Sequence, residues 1–156
     1  MVYSRATEYA IRAFVHLAQV PEGKYAMVRH IAFNENIPAH FLAKILQQLV
    51  RKGLLRSSKG PTGGFCLRLP ANEISLMQLV EALDGLTDYH KCVSGLSECN
   101  DETPCAMHAS WKTLRSGIIE YLETATIADL VSAREAKRHA LQKPRRAKKA
   151  FAGKKG

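Results

Sequence analysis

The sequence predicts a mainly α-helical fold that contains one small β-hairpin. Two observations lead to this prediction. Three helical segments precede a hairpin whose tip is rich in glycine, and a longer amphipathic helix occupies the second half of the chain. This order of elements is that of a winged helix-turn-helix with an added dimerisation helix. The 156 residues, 46% of them hydrophobic, are enough for one domain with an ordinary core.

Apolar spacing and turn residues predict the first three helices. Residues 4–19 repeat apolar side chains at helical spacing, and residues 26–33 form a second, shorter helix. A third helix covers 38–52, because Pro38 suits a first helical position and Gly53 follows a basic last turn. One face of this third helix is apolar and should be buried: Leu42, Ile45, Leu46 and Leu49.

A β-hairpin, the wing of the predicted fold, follows the third helix. Strands at 54–57 and 65–69 flank a tip that holds three glycines and Lys59. Glycine has no Cβ, so a tip of this composition can approach a groove or a phosphate closely.

Two more helices are predicted in the second half. Ser75 and Gln78 form a capping box that begins a fourth helix, which ends at Gly85. A long helix then opens at Thr103 and Pro104. Its apolar residues step by three or four positions, as in the seam of a coiled coil: Met107, Trp111, Leu114, Ile118, Tyr121 and Ala125.

Charge divides the chain into three parts. Residues 1–70 hold 10 Lys or Arg against 3 Asp or Glu, residues 71–133 hold 3 against 10, and residues 134–156 hold 10 against 1. The basic first part suits a nucleic-acid partner, whereas the acidic middle part suits a segment held away from phosphates.

These patterns predict a regulator domain over 1–131 and a basic tail over 132–156, which is expected to be mostly disordered. Within the domain, residues 1–70 form a DNA-binding head with its wing at 54–69. Residues 71–131 hold a cysteine-containing loop, the dimerisation helix and a short last helix.

The outward face of the third helix and the wing tip are the candidate DNA-binding surface. The second helix of a helix-turn-helix lies in the major groove, where Lys and Arg suit phosphates and guanine, and Gln suits adenine. The candidates are His40, Lys44, Gln47, Gln48 and Arg51 on the helix, and Lys59, Thr62 and Gly63 on the wing. The expected partner is double-stranded DNA, read as a palindromic operator by a two-fold dimer.

Three cysteines and one histidine form a candidate metal site. Cys92, Cys99 and Cys105 have the spacing C-x6-C-x5-C, and His108 follows three residues later, on the helical face of Cys105. The spacing is neither the paired C-x2-C of structural zinc nor a ferredoxin pattern. An iron–sulfur cluster, zinc and unliganded thiols therefore all stay open on spacing alone. Cys66, on the second wing strand, is expected to pack as a small hydrophobe.

Several segments resemble the IscR/NsrR group of bacterial winged-helix transcription regulators. They are YSRATEYA at 3–10, FLAKILQQLVRKGLL at 41–55, SKGPTGGF at 58–65, and residues 74–85. The resemblance covers residues 1–131 and implies a homodimeric DNA-binding regulator. Wings of this group usually offer an arginine to the minor groove, where this sequence has Lys59.

The resemblance also implies an iron–sulfur cluster. Members with a cluster place three cysteines where this sequence has Cys92, Cys99 and Cys105, although the first gap here is one residue longer than usual. His108 matches the histidine of IscR-like members and is the first candidate for the fourth ligand. Glu8, contributed by the other subunit, is the alternative, as in some NsrR-like members. Histidine ligation favours a two-iron cluster over a four-iron one.

The protein is expected to be a DNA-binding transcription regulator. Because members of the group are more often repressors than activators, it is expected to repress. The cluster would switch operator binding in response to iron–sulfur status, nitric oxide or redox stress. The alternative is a winged-helix regulator whose cysteines bind structural zinc or act as a metal-free thiol redox switch.

Enzymes and membrane proteins are not expected. The sequence has no P-loop, no serine–histidine–acid set and no H-E-x-x-H motif, and no small-molecule substrate is expected. It also has no long uncharged apolar segment and no signal-like beginning, so a cytoplasmic location is expected.

Overall fold

The computed structural model describes residues 2–96 and 99–142, without the side chains of Asp88 and His90, and confirms the mainly helical fold with its hairpin. The elements in chain order are α1 (Arg5–Leu17), α2 (Val28–Glu35), α3 (Ala39–Arg51), β1 (Leu55–Ser58), β2 (Gly64–Leu67), α4 (Leu76–Leu83), α5 (Thr87–His90), α6 (His108–Thr124) and α7 (Ile127–Gln142). A turn of 3-10 helix, Ala71–Glu73, precedes α4. The strands pair antiparallel, with Leu55 opposite Leu67 and Ser58 opposite Gly64.

Helix α1 lies at the centre of the fold and contacts α2, α3, α4 and α7. The predicted inward residues of α3 are buried, as are apolar side chains from α1, α4, α6 and α7. The link between α6 and α7 pairs with the residues that precede α4. The Leu76 amide donates to the Ala125 carbonyl at 3.0 Å, and the Ile127 amide donates to the Ile74 carbonyl at 2.9 Å. The two halves of the chain therefore share one core, whose buried apolar residues include Phe14, Leu42, Leu46, Leu49, Leu79, Leu122 and Ile127.

The predicted start of the second helix was two residues too early. Ala26 instead pairs with Phe65 of the wing, through two backbone hydrogen bonds of 2.9 Å, and α2 begins at Val28. An apolar pattern alone does not reveal this pairing, because the partner strand lies far along the sequence. The helix-turn-helix itself turns at Asn36, whose φ of 51° is left-handed.

The long helix also begins later than predicted. The side chain of Asn100 accepts hydrogen bonds from the Thr103 amide and hydroxyl, at 2.9 and 3.0 Å, so Thr103 belongs to a turn. Helix α6 starts at His108. The short helix α5 was not predicted, since the region from 86 to 104 has little apolar periodicity.

Residues 132–142 correct the prediction that the tail is disordered from 132 onward. Hydrogen bonds between Thr126 and Asp129 cap the start of α7. The helix continues to Gln142 through Ala, Arg, Glu and Lys residues, which favour helix. Arg134 also donates to the carboxylate of Glu35 at 2.9 Å. Residues 143–156, the rest of the predicted tail, lie outside the described residues.

Glu35 is the last residue of α2 and is 6% exposed. Besides Arg134, its carboxylate has the Nδ1 atom of His16 at 3.3 Å. The three side chains connect the end of α1, the helix-turn-helix and α7.

Among the described helices, none has the length and the apolar character that crossing a bilayer requires.

The free energy of unfolding of a Gly64→Ala variant is expected to be about 3 kcal/mol lower than that of wild type. Gly64 has a φ of 143°, and a Cβ there would lie 2.2 Å from the Ala26 carbonyl oxygen. Gly60 has a φ of 98°, and nothing lies within 4 Å of the position of an added Cβ. Gly60→Ala therefore introduces backbone strain but no clash, and it should lower the free energy of unfolding by about 1 kcal/mol. Urea unfolding of both variants measures the difference, and equal losses would contradict the role of the Ala26 contact.

Candidate metal centre and nucleic-acid interface

Cys92 and Cys105 come together around one serine. The hydroxyl oxygen of Ser94 lies 3.5 Å from the Cys92 sulfur and 2.9 Å from the Cys105 sulfur. The loop turns at Gly95, whose φ of 79° is left-handed. The indole N–H of Trp111, on α6, donates to the Lys91 carbonyl at 3.3 Å. This hydrogen bond fixes the start of the loop against the long helix.

Cys99 forms a second pair, with His108. Its sulfur lies 3.5 Å from Nδ1 of His108, which is the first residue of α6 and is 8% exposed. The other ring nitrogen, Nε2, lies 2.9 Å from Oδ1 of Asp101. Lys112 donates to both oxygens of Asp101, at 2.9 and 2.7 Å.

The hydrogen bonds of the loop shift two pKa values downward. The hydroxyl of Ser94, followed by the backbone amides of Ser94 and Leu96, lowers the pKa of Cys92 to about 7. The ammonium of Lys112, followed by the His108 ring, lowers the pKa of Asp101. Both shifts favour the charged forms, the thiolate of Cys92 and the carboxylate of Asp101.

The structure brings together Cys92 with Cys105 and Cys99 with His108, as two pairs. Within residues 2–96 and 99–142, no three His, Cys, Asp or Glu side chains converge at metal-binding distance. The donor set nevertheless fits a soft metal centre, because it consists of half-buried thiols and an imidazole. The hydrogen bond from the far side of the His108 ring to a carboxylate is also the usual support of a metal-bound histidine.

Ser94, Asp101 and Lys112 contact the candidate ligands or each other, and sequence reasoning missed all three. Asp101 lies two residues after Cys99, and Lys112 lies one helical turn after His108. The spacing of His108 and Lys112 was therefore a usable signal, since residues four apart on a helix are neighbours.

Glu8, the alternative fourth ligand, lies in the first turn of α1. It makes a 3.5 Å ion pair with Arg12 and lines a groove of about 760 Å³ together with Tyr3, Leu114 and Tyr121. The structure thus places Glu8 beside α6, on the surface where the predicted dimer seam lies.

Three apolar residues of that seam are exposed. Met107, Leu114 and Tyr121 follow one another at intervals of seven residues, and each is more than half exposed. Trp111 and Ile118, between them, are half-buried. An apolar row with a seven-residue repeat is the pattern of a helix that packs against another helix.

Most residues of the predicted outward face of α3 are exposed to solvent. His40, Lys44, Gln47 and Arg51 are exposed, whereas the apolar face of the same helix is buried. Gln48 differs: it is half-buried, and its side-chain amide donates to the Ala82 carbonyl of α4 at 3.1 Å. Its N–H group therefore joins α3 to α4.

The wing tip exposes two of its three candidate residues, Lys59 and Thr62. Gly63 is buried, and a Cβ there would lie 2.3 Å from the Ser58 carbonyl oxygen. This glycine permits the turn to close. Cys66 is half-buried, and its interaction with the Tyr25 hydroxyl raises the pKa of Tyr25.

Comparison with known proteins gives consistent matches. The model of the Rrf2 family, described as iron-dependent transcriptional regulators, matches residues 3–133. A putative HTH-type transcriptional regulator of Aquifex aeolicus is 31% identical over 137 residues, which are 86% of this chain and 94% of the relative. The HTH-type transcriptional regulator IscR of Vibrio vulnificus is 30% identical over 127 residues, which are 81% of this chain and 75% of the relative.

Among solved structures, CymR (YrzC), the global cysteine regulator of B. subtilis, superposes with a TM-score of 0.70. It is 25% identical, and the match covers 83% of this chain and 95% of that structure.

Proposed function

The chain belongs to the Rrf2 family of DNA-binding transcription regulators, and we propose that it is a homodimeric repressor whose operator binding is switched by an iron–sulfur cluster. Its relatives are transcriptional regulators and not enzymes. The observation that carries the cluster proposal is the cysteine loop, where three free thiols and the buried ring of His108 lie as two pairs.

The DNA contacts are assigned to α3 and the wing. Lys44, Gln47 and Arg51 line a shallow groove on the exposed face of α3. The major groove of DNA is wide enough to admit an α-helix. Lys59 and Thr62 at the wing tip would contact the adjacent backbone or minor groove. Gln48 and Gly63 are left with structural roles, given their contacts with Ala82 and Ser58.

The dimer is assigned to α6. Leu114 and Tyr121 would enter the groove beside α1 of a second copy, so that two apolar faces cover each other about a two-fold axis. Such a dimer presents two α3 helices, which suits half-sites about 34–36 Å apart or a multiple of that distance.

Cys92, Cys99, Cys105 and His108 would hold the cluster, with two iron atoms favoured over four. When bound, an iron–sulfur cluster supplies a centre that gains, loses or transfers electrons and that can be damaged by oxidants. The chain supplies thiolates, and Ser94 favours the thiolate of Cys92. The loop lies between α5 and α6, and Trp111 ties it to α6, so a change of loop conformation would move the dimer helix relative to the head.

The test is an absorption spectrum of protein purified without oxygen, with iron and sulfide assayed on the same sample. We expect a coloured protein whose visible bands are lost in Cys92→Ala and retained in Cys66→Ala. Cys66 is the matched control, since it is also half-buried and free but lies on the wing. A colourless wild-type protein that resists reconstitution would overturn the cluster proposal and leave the DNA-binding head intact.

A metal-free thiol switch is the second candidate, and one observation favours it. Cys92 and Cys105 both lie within hydrogen-bonding reach of the Ser94 hydroxyl, which brings the two thiols close enough to be candidates for a disulfide. In that case anaerobic protein would contain no metal, and mild oxidation would link Cys92 to Cys105, as peptide mass mapping can detect. Zinc in the purified protein would instead indicate a structural metal.

A further inference from the structure

The two ring nitrogens of His108 face two different groups, the side-chain carboxyl group of Asp101 and the sulfur of Cys99. On one side Nε2 lies 2.9 Å from Asp101, and on the other Nδ1 lies 3.5 Å from the Cys99 sulfur. The ring is also largely buried at the start of α6. This environment leaves it few alternative orientations.

The partners of Asp101 decide which nitrogen carries the proton. Lys112 donates to both oxygens of Asp101, so this side chain is a carboxylate and can only accept hydrogen bonds. The hydrogen bond between Asp101 and Nε2 therefore requires the proton to be on Nε2. In a neutral ring, Nδ1 then carries no proton, and its lone pair faces Cys99, from whose S–H group it can accept a hydrogen bond.

We propose that Asp101 and Lys112 are positioning residues that hold His108 as the Nε2–H tautomer, so that Nδ1 is the atom that it offers to a metal beside Cys99. The choice of ligand atom rests on the proposed function. The tautomer does not, because it follows from hydrogen bonds within the metal-free chain.

The first experiment measures the tautomer in reduced, chelator-treated protein whose histidines are labelled with ¹⁵N. Long-range proton–nitrogen correlation spectra distinguish protonated from unprotonated ring nitrogens at a pH of about 8, where imidazoles are mostly neutral. For His108 we expect a protonated Nε2 and an unprotonated Nδ1, with a tautomer ratio more extreme than that of the exposed His40. A proton on Nδ1 of His108 would overturn the proposal.

Variants separate positioning from general stability. Asp101→Ala should reduce the ratio of the Nε2–H to the Nδ1–H tautomer about five- to tenfold, because one charge-assisted hydrogen bond is lost. Asp101→Asn should restore part of the bias, since its carbonyl oxygen can still accept from Nε2. Glu102→Ala removes a neighbouring exposed carboxylate and should change nothing. An unchanged ratio in Asp101→Ala would show that Asp101 does not position the ring.

The second experiment tests the ligand atom in cluster-loaded protein. Histidine labelled only at Nδ1 should give a strong hyperfine coupling in the electron–nuclear double-resonance spectrum of the reduced cluster. Strong coupling to Nε2 instead would overturn the assigned atom. A loaded cluster without any histidine coupling would exclude His108 as the fourth ligand, whereas a chain that never loads metal fails the proposed function in the preceding absorption test.

Discussion

A Leu114→Asp variant is expected to be monomeric and to bind operator DNA about 100-fold more weakly than wild type. Leu114 is 58% exposed in the single chain, so its replacement leaves the core unchanged. In the proposed dimer the new carboxylate would be buried against an apolar face without a partner, which costs several kcal/mol. A monomer reads one half-site and loses the binding energy of the second head.

Sedimentation velocity gives the oligomeric state, and fluorescence anisotropy gives the affinity for a duplex that wild-type protein selects from a random pool. Ser116→Asp is the matched control. Ser116 is exposed on the same helix, but it lies two residues further on, about 200° around the helix axis. If both variants lost affinity equally, or if Leu114→Asp stayed dimeric, α6 would not be the dimer seam.

Reversal of one charge on α3, in Lys44→Glu, is expected to weaken binding to the selected duplex about 100-fold. Lys44 is exposed on the face of α3 that would enter the major groove, so the variant replaces an attraction to DNA by a repulsion. The slope of log affinity against log salt should also fall by about one, since one fewer counterion is released if Lys44 contacts a phosphate.

Lys24→Glu changes the net charge by the same amount but lies in the loop between α1 and α2, outside α3 and the wing tip. It should weaken binding far less than Lys44→Glu. Equal losses in the two variants would mean that only the overall charge of the head matters, and that α3 does not read the groove.

The helices of the head were predictable because each has a strong local pattern. Helix α3 buries its four predicted leucine and isoleucine side chains, and the capping box of Ser75 and Gln78 is present at the start of α4. Errors arose where non-local contacts compete with local preference. Ala26 pairs with Phe65 and delays α2, and Asn100 holds Thr103 in a turn.

The candidate sites were predictable in their residue types but not in their hydrogen bonds. Thiol spacing and the position of His108 were readable from the sequence, whereas Asp101 and Lys112 meet only because the loop folds back onto α6. Counting helical positions placed Gln48 with the outward residues. The close approach of α4, which the sequence does not encode locally, gives its amide a partner at Ala82.

The contact between Glu35 and Arg134 couples helix α7 to the helix-turn-helix. Because this buried carboxylate joins the last residue of α2 to α7, a movement of the helix-turn-helix should be transmitted to α7. The 16 residues of α7 span about 24 Å, so a rotation of about 10° moves one end by about 4 Å relative to the other. Small movements in the head would therefore be amplified at the far end of α7, from which the basic segment continues.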